Sequence, residues 1–139
     1  MKLSQNFSLK ELTHSSTANY NKVDNTPSRL ELEYLKKLCN EILQPIRDKY
    51  GNFIFVTSGY RNPILNRLVG GSTTSQHILG QAADLTTGSR EGNKKLFDMI
   101  AQMIENGEIK VGQLIDEKNY TWIHISLPYS KVNQVLHLK

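Results

Sequence analysis

The chain has 139 residues, 38% of them hydrophobic and 22% charged, which suits one soluble domain over residues 1–139 and excludes a disordered chain. Lys and Arg outnumber Asp and Glu by 17 to 13, for a net charge of +4; the lysines are scattered, with no basic stripe interleaved with aromatics, so no nucleic-acid partner is expected, and the mild positive balance would also suit an anionic polymer. The single cysteine excludes an internal disulfide and a cysteine-based zinc site, and no window reaches the roughly 18 apolar residues of a membrane span.

The first seven residues, Met1 to Phe7, hold no apolar stretch of signal-peptide length. Ser8-Leu9-Lys10-Glu11 then reads as a capping box that starts a short helix, and residues 19–26 read as a loop. A long helix is predicted next, with Thr26 as its cap and Pro27 in its first position. Leu32, Leu35, Leu38, Ile42 and Ile46 recur along it at helical spacing. Cys39 falls on that stripe and reads as a small buried thiol. Pro45 is expected to kink or loosen the last turns, and Gly51 marks the stop.

Phe53 to Thr57 is a compact β-prone run, read as a buried strand. Asn62 to Leu68 can make a short helix with Pro63 at its start, and Gly70 to Ser75 a loop. Gln81 to Thr86 reads as a second strand. Leu96, Met99, Ile100, Met103 and Ile104 form another helical stripe, ended by Asn106-Gly107. Val111–Ile115 and Tyr120–Ile125 read as a hairpin around Lys118-Asn119, and Gln134 to Leu138 as a last strand. The expected class is α+β, a mainly antiparallel sheet with helices packed on one side.

Chemistry concentrates at His77, Asp84 and His124. Asp84 interrupts the apolar run Ala82-Ala83-Asp84-Leu85, and His124 interrupts Trp122-Ile123-His124-Ile125; polar groups in such runs are expensive unless paired or coordinated. Two imidazoles and a carboxylate form a three-ligand zinc set with a fourth position open to water, as a hydrolase needs. Spacing alone does not separate this set from structural or solvent-exposed residues. Gly70-Gly71 reads as a backbone turn, since no phosphate-loop spacing accompanies it. Trp122 reads as a core or site-wall aromatic, His137 as exposed and His14 as a loop residue.

Taken in order, Phe7-Ser8-Leu9-Lys10-Glu11-Leu12, Asp24-Asn25-Thr26-Pro27, Ser58-Gly59-Tyr60-Arg61, Gly70-Gly71-Ser72, Ser75-Gln76-His77, Gly80-Gln81-Ala82-Ala83-Asp84-Leu85 and Trp122-Ile123-His124-Ile125-Ser126 resemble one family closely. It is the zinc D-Ala-D-Ala carboxypeptidase-like family of peptidoglycan peptidases (peptidase family M15), in its small single-domain bacterial and phage branch. The resemblance covers nearly all of the chain and implies a Hedgehog/D-Ala-D-Ala-peptidase-like fold. It implies zinc as cofactor, with His77, Asp84 and His124 as its ligands, and a peptidoglycan peptide as substrate, cut by a carboxypeptidase or an endolysin-like endopeptidase. Arg61 matches an arginine that contacts the substrate carbonyl or carboxylate, and Ser75 a serine that lines the substrate site.

Many relatives carry a glutamate three residues before the third ligand, where this chain has Thr121. The nearest carboxylates are Asp116 and Glu117. Glu117 is the favoured general base, because strand alternation puts it on the face of His124 and Asp116 on the other; Asp116 and His14 are the alternatives. A regular two-residue turn at Lys118-Asn119 would pair Gln113, not Glu117, with His124. The departure at Thr121 keeps open a rival reading, a non-catalytic zinc-containing binding or structural module of a phage or secretion assembly. Without a signal peptide, the chain is expected to be cytoplasmic as synthesised and to reach a wall through phage lysis or another route. The sequence specifies no oligomeric state.

Overall fold

The structure is a computed structural model that describes all 139 residues. Its helices are α1 (Leu9–Thr13), α2 (Ser16–Tyr20), α3 (Arg29–Leu38), α4 (Gln44–Tyr50), α5 (Pro63–Leu68) and α6 (Arg90–Glu105). Its strands are β1 (Phe55–Ser58), β2 (Ala82–Thr86), β3 (Gln113–Glu117), β4 (Trp122–Ser126) and β5 (Gln134–Leu138).

The capping box at Ser8 is formed: Ser8 Oγ accepts from the Glu11 N–H and a Glu11 carboxylate oxygen accepts from the Ser8 N–H, each at 3.2 Å. The helix it starts is short because Ser15 begins another, accepting from the Ala18 N–H at 3.1 Å. The long helix begins later than the Thr26-Pro27 pair suggested. Thr26 is bonded to Asp24, and Ser28 with Glu31 makes the capping box that opens α3. Pro45 loosens the helix without ending it. A single π-helical turn over Cys39–Leu43, in which the Gln44 N–H reaches the Cys39 carbonyl, widens the backbone just ahead of the proline. That turn takes up the missing N–H and the ring's clash with the preceding turn, so the helix runs on into α4. Gly51, at φ 75°, closes it.

The strands form one sheet in the order β1-β2-β4-β3-β5. All neighbours are antiparallel except β3 and β5, which are parallel. The class is therefore α+β with a mostly antiparallel mixed sheet. Alternation sorts the two faces. Ala83, Leu85, Leu114, Ile123 and Ile125 enter a cluster of 23 buried hydrophobic residues. Helices α3, α4 and α6 complete it with Leu35, Leu38, Ile46, Leu96 and Ile100, and burial pushes the Cys39 thiol up to about 12. The opposite face, with Asp84, Ile115, Glu117, Trp122 and His124, is bordered by the segment from α5 to a 3-10 turn at Gln76–Leu79.

The first strand differs from its expected form. It begins at Phe55 on the sheet edge, and Phe53 and Phe55 stack in solvent with ring centroids 6.4 Å apart. Only Ile54 and Val56 of that run meet the core, since an edge strand has one covered face.

The hairpin also differs. Its connection is four residues, Lys118 to Thr121, and it pairs Glu117 with Trp122 and Ile115 with His124. The two-residue shift preserves the face of every side chain and moves Glu117 two pairs nearer to His124 along the ladder. Lys118, Asn119 and Tyr120 all lie in the left-handed region, at φ 49°, 53° and 60°, which costs about 1–2 kcal/mol for each non-glycine residue. Hydrogen bonds offset this. Buried Asp116 accepts the Tyr120 N–H at 2.5 Å, and Asn93 Nδ2 donates to the carbonyls of Tyr120 and Thr121 at 2.9 and 3.2 Å. The Lys118 N–H reaches the Leu138 carbonyl of β5 at 2.9 Å. The second oxygen of Asp116 pairs with His137 Nδ1 at 3.1 Å, so His137 is exposed as expected yet tethered.

Replacing Asp116 by Ala leaves the Tyr120 N–H without its acceptor and is expected to destabilise the fold by about 1–3 kcal/mol. Asp116→Asn keeps an acceptor oxygen and should lose clearly less. Urea unfolding with an unchanged slope measures both; equal losses would refute the role given to that bond.

Candidate metal centre and groove

His77 lies on the 3-10 turn Gln76–Leu79, whose start is capped by Ser75: its hydroxyl accepts the His77 N–H at 3.1 Å. The imidazole is 3% exposed, and its Nδ1 stands 2.7 Å from the Gly59 carbonyl. A carbonyl only accepts, so Nδ1 carries the proton and a neutral His77 presents Nε2 as a bare lone pair. Gly59 is glycine because the chain crosses α1 there. A side chain would collide with the Leu12 carbonyl, which accepts the Tyr60 N–H at 2.7 Å. Asn25 ties the same region together, donating to the carbonyls of Thr13 and Tyr60 and accepting from the Asn62 N–H.

Asp84 on β2 pairs directly with His124 on β4. One of its oxygens, Oδ1, is 3.0 Å from His124 Nδ1 and 3.4 Å from His77 Nε2. The two ring centroids are 5.2 Å apart, and the three donor atoms lie within 4.8 Å of one another. Burial alone pushes the Asp84 carboxyl up; with a proton on each imidazole nitrogen that faces it, hydrogen bonds and charge from His124 and His77 more than offset this and hold the group well below the usual carboxylate range. The lone pair of His77 Nε2 facing a carboxylate oxygen is repulsive unless a proton or a cation lies between them. Two imidazoles and one carboxylate are a donor set for a divalent transition metal, and the Gly59 carbonyl orients His77 as an outer partner of a ligating histidine does.

A β-bulge between Val56 and Ser58 sets Ser58, not Thr57, opposite Asp84. Ser58 Oγ then accepts from Arg61 Nε at 3.1 Å, Asn66 Oδ1 accepts from Nη1 at 3.0 Å, and Nη2 stands 3.7 Å from Asp84 Oδ2. Asn66 is itself held by the Ser72 carbonyl at 2.8 Å. Gly71 leaves room for this arrangement: a Cβ there would come within 2.6 Å of Arg61 Nη1. Burial lowers the guanidinium below its ordinary value, against the raising pull of the Asp84 and Glu117 carboxylates.

All six residues singled out from sequence, Arg61, Ser75, His77, Asp84, Glu117 and His124, line one groove of about 670 Å³. Glu117 Oε2 accepts from Trp122 Nε1 at 3.1 Å, and Trp122 is a wall of the groove. Asp116 faces the other way, and Thr121 lies in the turn with its hydroxyl bonded to the Lys118 carbonyl. His14 caps the end of α1 and lines a smaller adjoining cavity of about 360 Å³, which shares Arg61 and Asp84 with the groove. Sequence reasoning missed Asn66 and Ser58. The available signal for Asn66 was a polar residue on the inner side of a short helix five positions after the arginine.

The family model described as Peptidase M15 matches residues 5–126, and the chain belongs to the peptidase M15 family. The protein is thus a peptidase, and the matched span contains every groove residue named from the sequence. A comparison with curated proteins gives no match. No helix is long and apolar enough to cross a membrane.

The chain is expected to bind one equivalent of metal, and His77→Ala and His124→Ala are each expected to lose it. Elemental analysis of the purified variants checks this; full retention in either would remove that residue from the ligand set.

Proposed function

We propose that the protein is a zinc-dependent peptidase that hydrolyses a peptide bond in bacterial cell-wall peptide, as D-Ala-D-Ala carboxypeptidases or endolysin-like endopeptidases do, through a single domain of that fold. The observation that carries this reading is the convergence of Glu117 and Arg61 on the groove that holds the His77–Asp84–His124 donor set. His77, Asp84 and His124 would hold the zinc, which would supply Lewis acidity for a water and for the substrate carbonyl.

The chain's own residues do the rest. Glu117 stands diagonally across the β3–β4 ladder from His124, at about 7–8 Å by ordinary sheet geometry, with the groove between. One of its oxygens is held by Trp122 and the other is free to accept a proton. Glu117 takes a proton from the attacking water and delivers it to the departing amine as the C–N bond breaks. Arg61, fixed by Ser58 and Asn66, donates to the carbonyl oxygen as negative charge develops there. Ser75 lines the groove for substrate while its hydroxyl holds the His77 turn. A carboxylate at Glu117 answers the departure at Thr121 and favours an enzyme over a non-catalytic module.

Glu117→Gln is expected to keep zinc and fold and to lose about a hundredfold or more in kcat on a purified wall-peptide substrate. Arg61→Ala is expected to keep zinc and lose a comparable factor. Turnover assays beside metal analysis decide; near-normal activity of the Glu117 variant would move the base elsewhere.

A further inference from the structure

The donor set sits in the middle of the groove floor, not at its end. Ile115 stands directly opposite His124. From that pair the floor runs one way to Glu117 and Trp122 and the other way to Gln113, with Ser130 and Lys131 beyond. Gln113 to Glu117 spans about 13 Å at the rise of a strand, room for about four residues of extended peptide, half of them on each side of His124.

Arg61 is also poorly placed to clamp a terminal carboxylate. Its Nε and Nη1 are taken by Ser58 and Asn66, and its Nη2 faces Asp84. Each edge of the guanidinium fork therefore has a nitrogen already engaged, and two-pronged recognition of a carboxylate needs a free edge. The side chain is 13% exposed, and the charges of the Asp84 and Glu117 carboxylates already act on it and would repel a third. The remaining groove cation, Lys131, comes from the segment after β4, past the Gln113 end of the floor.

We propose that the groove takes an internal stretch of peptide and that the protein cuts a bond with residues on both sides of it, as an endopeptidase, with Arg61 serving the carbonyl oxygen and no charged group reserved for a free C-terminus. This rests on the peptidase reading above and narrows its substrate class.

The test uses the zinc-loaded protein and three wall-type peptides that share the sequence before the bond. The first has one residue after the bond and a free carboxylate, the second is its amide, and the third extends three residues past the bond and ends in an amide. The third is expected to have the highest kcat/KM. Amidation of the first is expected to change kcat/KM by less than about threefold, because no charge-assisted bond is lost. The proposal is overturned if the first peptide is cut best and amidation lowers its kcat/KM by about ten- to a hundredfold, the loss of one hydrogen bond to a charged group. Cleavage of none of the three overturns the peptidase reading itself, and the endopeptidase assignment with it.

Discussion

A single carboxylate oxygen holds the site together. Asp84 Oδ1 faces both imidazoles, one across the β2–β4 ladder and one from a turn that approaches over the sheet. That arrangement requires three separate features of the chain. β2 and β4 must be neighbours in register, although 40 positions separate the two residues. The Gln76–Leu79 turn must be capped so that His77 points inward, and the Gly59 carbonyl must stand where Nδ1 can donate. Small residues serve this geometry more than large ones: Ser75 caps, and Gly59 and Gly71 admit close approaches that a Cβ would block.

The second constraint is the turn between β3 and β4. Three successive left-handed residues are an expensive connection, and it persists because a buried aspartate, a buried asparagine from α6 and the end of β5 all bond to it. Its effect is to set Glu117 opposite Trp122, on the same face as His124. Asp116 and Glu117 are adjacent in sequence and opposite in use: the first fixes the backbone, and the second faces the groove.

Much of this was legible in the residues. The amphipathic stripes of α3, α4 and α6, the capping box at Ser8 and the strands at Ala82–Thr86 and Gln134–Leu138 follow from periodicity and local chemistry. Asp84 and His124 stood out because each breaks an apolar strand. The turn length and the bulge at Thr57 were not legible, since both depend on partners distant in sequence: Asn93 and Leu138 for the turn, Asp84 for the bulge. Local composition at Lys118-Asn119 suits a tight two-residue connection, and tertiary hydrogen bonds override it. Pro45 marked where the helix loosens, but that the loosening takes the form of one π-helical turn was not legible. A helix packed along the core on Leu35, Leu38, Ile42 and Ile46 gains more by widening one turn than by ending.

The opposed lone pairs at His77 Nε2 and Asp84 Oδ1 make the site a mechanical joint as well as a chemical one. A cation seated there would tie β2, β4 and the 3-10 turn to one point; without it, only a proton between the same atoms keeps them from repelling. Folding and metal uptake are then thermodynamically linked: free metal at a hundred times its dissociation constant adds about 2.7 kcal/mol to the folded state. With a metal bound there, the melting temperature would follow metal concentration, and a chelating buffer would lower it.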